Sequence, residues 1–168
     1  MEAGLEDAIP ISTVLVRPNL GHRHLFGYGF FLNQRIVRSF CPDASFVGVA
    51  YYDNRRFTVD AQGYLTLRPR AGHRTYGVIW QVPDVSVYAL DQRLCVPRFY
   101  DRTGAFARTL KGQLCISEFL ATRDQGTGCL ESHALSFILR AARRWEFPSA
   151  YLTEIASWGG NAQQRRAY

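Results

Sequence analysis

The side chains able to do chemistry are dispersed along this sequence. Cysteines stand at 41, 95, 115 and 129, and histidines at 22, 24, 73 and 133. No two cysteines are spaced Cys-x-x-Cys, so neither a zinc site nor a thioredoxin-like pair is expected. His22 and His24 lie two apart, but the histidines have no metal-ligand spacing. Free, buried thiols are the expected state of the cysteines. A thiolate nucleophile needs a lowered pKa and a nearby base. Cys95 is the candidate, with His133 or His73 as its base, and nothing in the sequence brings them together. The carboxylate candidates for proton transfer are Asp91 and Asp101. Glu118 and Glu131 are further acids, read as solvated surface residues. No cofactor and no metal are expected.

The elements that must position these residues follow from periodicity. The stretch 11–16 is β-branched and apolar, and 18–21 reads as a turn. A short apolar run over 24–28 suits a buried strand, with one or two helical turns over 32–40. Strands are expected at 46–52 and 56–59, flanking a hairpin turn at Asp53-Asn54. Two more are expected at 64–68 and 75–82, around the turn-rich Pro69 to Gly72. Asp84 is placed to cap a helix over 85–94, with Val87, Leu90 and Leu94 on one face. Strands at 105–110 and 113–121 flank Lys111-Gly112. The strongest helical pattern runs from 130 to 145, with Leu130, Ala134, Ile138, Ala141, Ala142 and Trp145 on one stripe, and a last short helix covers 150–157. The result is one α+β domain over 1–168, with loose ends at 1–10 and 159–168.

Composition narrows the classes. The chain has 168 residues, 47% apolar and 20% charged, enough for a folded core. The net charge of +6 comes almost wholly from arginine, because Lys111 is the only lysine. The arginines are scattered, with small clusters at Arg140/Arg143/Arg144 and Arg165/Arg166, and nucleic acid is not the expected partner. No apolar run approaches the ~20 residues that cross a bilayer. The acidic N-terminus has the wrong charge for a secretory signal. A cytoplasmic protein with no membrane partner is expected.

Four segments, in order and at close spacing, resemble one family. Tyr28-Gly29-Phe30-Phe31-Leu32 resembles the Tyr-Gly-Ser-(Asn/Leu)-Leu loop of γ-glutamylcyclotransferases. Tyr76-Gly77-Val78-Ile79-Trp80 resembles a strand of that family. Leu90-Asp91-Gln92-Arg93-Leu94-Cys95-Val96-Pro97-Arg98-Phe99-Tyr100-Asp101-Arg102 is similar to its Leu-Asp-x-x-Glu-Gly-Val-Pro-x-x-Tyr-x-Arg pattern, and is the most specific piece. Ala141-Ala142 through Phe147-Pro148 to Tyr151 resembles its C-terminal motif. The match covers roughly 24–155.

The resemblance implies a small, mostly antiparallel barrel-like sheet with flanking helices and a pocket at one end. It implies ligand contacts at Tyr28, Gly29, Phe30, Phe31, Leu32, Leu94 and Tyr100, and a structural role for Asp91. Family members release 5-oxoproline from γ-glutamyl compounds, with one glutamate moving the proton and loop N–H groups holding the substrate's oxygens. Here Phe30 and Phe31 replace the polar loop residues, Leu94 stands at the glutamate's position, and Cys95 replaces a glycine. Leucine cannot transfer a proton. The expected function is therefore a divergent relative with a small-molecule pocket at the Tyr28-Gly29 loop and altered chemistry on a small amide, amine or acyl substrate. The alternatives are a non-catalytic ligand-binding or protein-interaction module, and a cyclotransferase whose base has moved.

Overall fold

A computed structural model describes residues 15–123 and 126–160 of the chain. Among these residues six strands form one sheet: β1 (Leu15–Val16), β2 (His22–Gly27), β3 (Ser45–Val59), β4 (Leu65–Pro83), β5 (Tyr100–Thr109) and β6 (Gly112–Ala121). The spatial order is β1-β6-β2-β4-β3-β5, and β5 pairs again with β6, which closes five of the strands into a barrel. Closure removes the exposed edges that an open sheet would leave. Most pairings are antiparallel, while β2 and β1 each meet β6 in parallel.

Helices flank the barrel: α1 (Gln34–Phe40), α2 (Asp84–Arg93), α3 (Ser132–Arg144) and α4 (Ser149–Ala156). Asn33 caps α1, its side-chain oxygen accepting from the Arg35 and Ile36 N–H groups. Ile138, Ala141 and Ala142 of the expected stripe are buried on α3, and Ala134 is half-buried. The core is continuous, with Phe26, Phe57, Trp80 and Phe119 among its largest buried side chains. No helix among the described residues is long and apolar enough to cross a membrane.

Several expectations change. Asp53-Asn54 is not a hairpin turn. The strands on either side are one long β3, with a register shift between Asp53 and Arg55. Likewise 64–68 and 75–82 join into β4, and Arg70 to His73 bulge out opposite Asn54, whose Oδ1 accepts from the Gly72 N–H. A bulge absorbs extra residues without ending a strand, so local turn chemistry misreads it. The real β3–β4 turn lies at 60–64, where Asp60 Oδ1 accepts from the Gln62 and Tyr64 N–H groups. Asp84 starts α2 without capping it and faces Arg23 at 3.3 Å. Gly159 bridges to Leu130, so the ordered chain extends past Trp158. Of the first expected strand, only Leu15 and Val16 lie within the described residues, and the expected loose end at 1–10 lies outside them. Only Cys41 is buried; Cys95, Cys115 and Cys129 are free and exposed.

Candidate functional site

The loop after β2 is a single 3₁₀ turn, Gly29–Leu32, and not the end of a strand. Tyr28 is extended, and Gly29 then takes a φ of +57°, a left-handed value that glycine adopts without a Cβ penalty. The reversal turns the chain away from β2. Gly29 also sits against Leu65, where an added Cβ would lie 2.6 Å from Leu65 Cδ1. Two indoles hold the loop's carbonyls. Trp80 Nε1 donates to Phe31 O at 2.9 Å, and Trp145 Nε1 donates to Leu32 O at 2.7 Å. The first N–H groups of such a turn have no acceptor inside it, because they precede its first hydrogen bond. Gly29 and Phe30 occupy those positions.

A cavity of about 420 Å³ opens beside this turn, within the usual range for small-molecule sites. Tyr28, Phe30, Phe31, Leu65, Leu94, Tyr100 and Phe119 are in its wall. Phe40 and Tyr64, which the motifs did not point to, also line it. Phe30 and Phe31 do not fill the space. Phe30 packs at 6.1 Å on Phe137, and Phe31 meets Phe40 edge-on at 5.8 Å. Both phenol hydroxyls are turned to backbone: Tyr28 OH donates to Phe119 O and, at 3.4 Å, to Leu65 O, and Tyr100 OH donates to Leu65 O at 3.2 Å. Burial pushes the Tyr100 phenol up to about 12, so it stays protonated at neutral pH.

Leu94 is the residue that ends α2, half-buried, while Val87 and Leu90 of the same face go fully into the core. Asp91 lies outside the cavity wall. It accepts two hydrogen bonds from Arg102, at 2.8 and 3.0 Å, and so ties α2 to β5. Cys95 is exposed in the turn after α2, with a φ of +52°. His133 lies beside Glu131 and His73 beside Glu154, and no hydrogen bond or ion pair among the described residues joins either to Cys95. Asp101 alternates with Tyr100 along β5 and is exposed. No group of three or more His, Cys, Asp or Glu among the described residues is arranged to hold a metal.

Glu118 corrects the expectation made for it: it is 1% exposed, not solvated. It shares one face of β6 with Leu114 and Ile116, both buried. The Tyr52 hydroxyl donates to its Oε2. Burial pushes its carboxyl up, while Tyr52, Arg55 and Thr103 pull it partly back. Burial and the neighbouring Glu118 push the Tyr52 phenol upward as well. The pair is absent from the cavity wall. Phe26 lines the cavity and meets Tyr52 edge-on at 5.0 Å. The signal was present in the sequence as the i, i+2, i+4 pattern of Leu114, Ile116 and Glu118.

This fold has counterparts among solved structures. A solved γ-glutamyl cyclotransferase superimposes with a TM-score of 0.76 at 19% identity, covering 84% of this chain and 90% of that one. An uncharacterised protein from Homo sapiens does so equally well, at 18% identity with the same coverage. The chain has the γ-glutamylcyclotransferase-like fold. An AIG2-like protein from Mus musculus is more distant, with a TM-score of 0.52 at 20% identity over 60% of this chain and 78% of that one. No protein-family model and no curated protein matches the sequence. In this chain the loop glycine takes a left-handed turn, and Leu94 stands at the cavity wall.

Proposed function

We propose that the protein binds a small, largely apolar molecule in the cavity beside the Tyr28-Gly29 turn, and does not carry out γ-glutamyl cyclotransfer. One observation carries this reading: among the described residues, the cavity wall contains no carboxylate, histidine or lysine. Cyclisation of a γ-glutamyl group needs a base for the substrate's α-amine, and Tyr100, held protonated, is not one. A pocket that binds substrate and transition state equally gives no acceleration. What the wall offers is aromatic and aliphatic surface, with the 3₁₀ turn that carries two N–H groups lacking an acceptor inside it close by. That suits an aromatic or aliphatic ligand with a single carbonyl or carboxylate end.

The test is calorimetric titration with a series of amides and carboxylic acids of rising apolar area. Affinity should rise by about 25 cal/mol for each Å² of apolar ligand surface buried. Leu94→Trp, which narrows the cavity, should abolish binding. Affinity independent of apolar area, or unaffected by that substitution, sinks the reading. Release of 5-oxoproline from γ-glutamyl amino acids should stay at the uncatalysed rate.

A second reading, an enzyme of altered chemistry on a small amide, amine or acyl substrate, is favoured by Glu118. A buried carboxyl with a raised pKa is a common form for a general acid or base. It requires Phe26 to move aside so that Glu118 meets the cavity. Any turnover found should then vanish in Glu118→Gln while ligand affinity is retained.

A further inference from the structure

The strand alternation that turns Phe57 and Leu65 toward the Tyr28 turn sends their neighbours to the opposite face of the β3–β4 hairpin. Arg56 and Thr58 are on that face of β3. Arg68 stands directly opposite Arg56 in register, and Arg70 lies two residues further along β4. Like charges placed opposite one another in a sheet cost stability. Here they line a second recess of about 430 Å³, walled by Thr127 to Cys129 and by Ser157 to Gly159. The walls are fixed: the Gly128 N–H donates to Val59 O at 2.9 Å, and the Leu130 N–H donates to Trp158 O at 2.7 Å.

The charges of this recess are unequally matched. Glu154 lies 3.5 Å from Arg56, whose guanidinium also sits 5.4 Å from the Trp158 ring centre. Arg68 donates to Gly126 O at 2.6 Å. Arg70 makes no hydrogen bond or ion pair among the described residues. No aspartate or glutamate among the described residues lines the recess. In its wall, Trp158 is 93% buried, being 7% exposed, and its Nε1 has no hydrogen-bond partner. Arg56 Nε is matched by Glu154 Oε1 at 3.5 Å, so the unmet donor of this wall is the indole N–H. Buried donors without acceptors are rare and call for an acceptor that the chain itself does not supply.

We propose that this recess binds a small phosphate-bearing molecule. Guanidinium groups match the spread oxygens of a phosphate better than an ammonium does, and they remain charged at any physiological pH. A phosphate seated between Arg56 and Arg70 relieves the crowding of positive charge and gives an oxygen acceptor to the orphaned Trp158 N–H. The volume leaves room for the rest of a ligand about the size of a mononucleotide. The site lies on the other face of the hairpin from the apolar cavity and does not depend on what that cavity holds.

Cys129 supplies the test, because it is an exposed thiol lining the recess, whereas Cys95 and Cys115 are exposed and lie outside its wall. The full chain is alkylated with iodoacetamide, and the rate at each cysteine is read by peptide mass spectrometry. Inorganic phosphate, a nucleoside monophosphate, a single-stranded oligonucleotide and sodium chloride of matched ionic strength are added in parallel. Either small phosphate compound at twice its dissociation constant should slow Cys129 by about threefold, the fall that two-thirds occupancy gives, with Cys95 and Cys115 unchanged. In Arg70→Ala, each rate being compared with that variant's own rate without phosphate, the protection of Cys129 should be abolished. Equal slowing by chloride, protection by the oligonucleotide alone, no protection by either small phosphate, or protection that survives Arg70→Ala overturns the proposal.

Discussion

Replacing Gly29 by alanine tests how the binding turn is built. Two costs are readable from the structure. The φ of +57° places a Cβ in the left-handed region, which costs an L-residue about 1–2 kcal/mol. The new methyl would also lie 2.6 Å from Leu65 Cδ1. That atom ends a flexible side chain bordering the cavity, so Leu65 can swing into the open space. An off-rotamer Leu65 adds about 0.5–1.5 kcal/mol. The sum is about 2–3 kcal/mol. Gly21→Ala is the matched control, because its φ is +71° and nothing lies within 4 Å of an added Cβ. It should cost only the first of the two. Urea unfolding of both variants should place Gly29→Ala about 1 kcal/mol below Gly21→Ala, or about 2–4 °C lower in Tm for a domain of this size. Gly29→Ala should also weaken apolar ligand binding, because Leu65 now occupies part of the cavity. A Gly29→Ala variant as stable as Gly21→Ala, with ligand affinity intact, refutes the reasoning.

Three further outcomes follow from the same geometry. Glu118→Gln should flatten the pH dependence of stability. Burial raises the folded-state pKa of Glu118 above the unfolded one, so this group stabilises the wild type most below the ordinary glutamate value. That stabilisation is lost as pH rises toward the folded value, by about 1.4 kcal/mol for each pH unit separating the two. Urea midpoints of wild type and variant that stay parallel across that range would contradict this. Asp91→Asn should lower stability by about 2 kcal/mol through loss of the paired bonds to Arg102, and Arg102→Lys should restore little, since lysine cannot reproduce the fork. Trp145→Phe keeps a ring against Phe46 but strips Leu32 O of its donor, and should cost about 1–3 kcal/mol in chemical denaturation with the loss concentrated in hydrogen-exchange protection around the turn.

The sequence made the local pieces legible more readily than their joins. The helices expected over 32–40, 85–94, 130–145 and 150–157 are present at 34–40, 84–93, 132–144 and 149–156. The β5–β6 hairpin followed from Lys111-Gly112. The long β3 and β4 did not, because Asp53-Asn54 and Pro69 to Gly72 carry turn chemistry that tertiary pairing overrides as bulges. The cavity's motif residues were legible because Tyr28, Leu94 and Tyr100 fall in recognisable patterns. Phe40, Tyr64 and Leu65 were not, since they reach the same space from elements whose closure into a barrel is a long-range event. Glu118 was misread because charge was weighed ahead of alternation. Its two-residue spacing from Leu114 and Ile116 assigned it to the interior, and Tyr52 satisfies it there. The recess at Arg56, Arg70 and Trp158 joins residues far apart in sequence, and no local pattern announces it.

The turn after β2 thus combines a left-handed glycine with two indole anchors, and the cavity beside it has no carboxylate, histidine or lysine in its wall among the described residues. The most direct measurement is an NMR titration of ¹⁵N-labelled protein with phenylacetamide and, separately, with 5-oxoproline. Phenylacetamide should shift the amide signals of Gly29, Phe30, Phe31 and Leu65 in a saturable manner, and 5-oxoproline should leave them in place. Saturable shifts of those amides with 5-oxoproline, or none with phenylacetamide, would contradict the account.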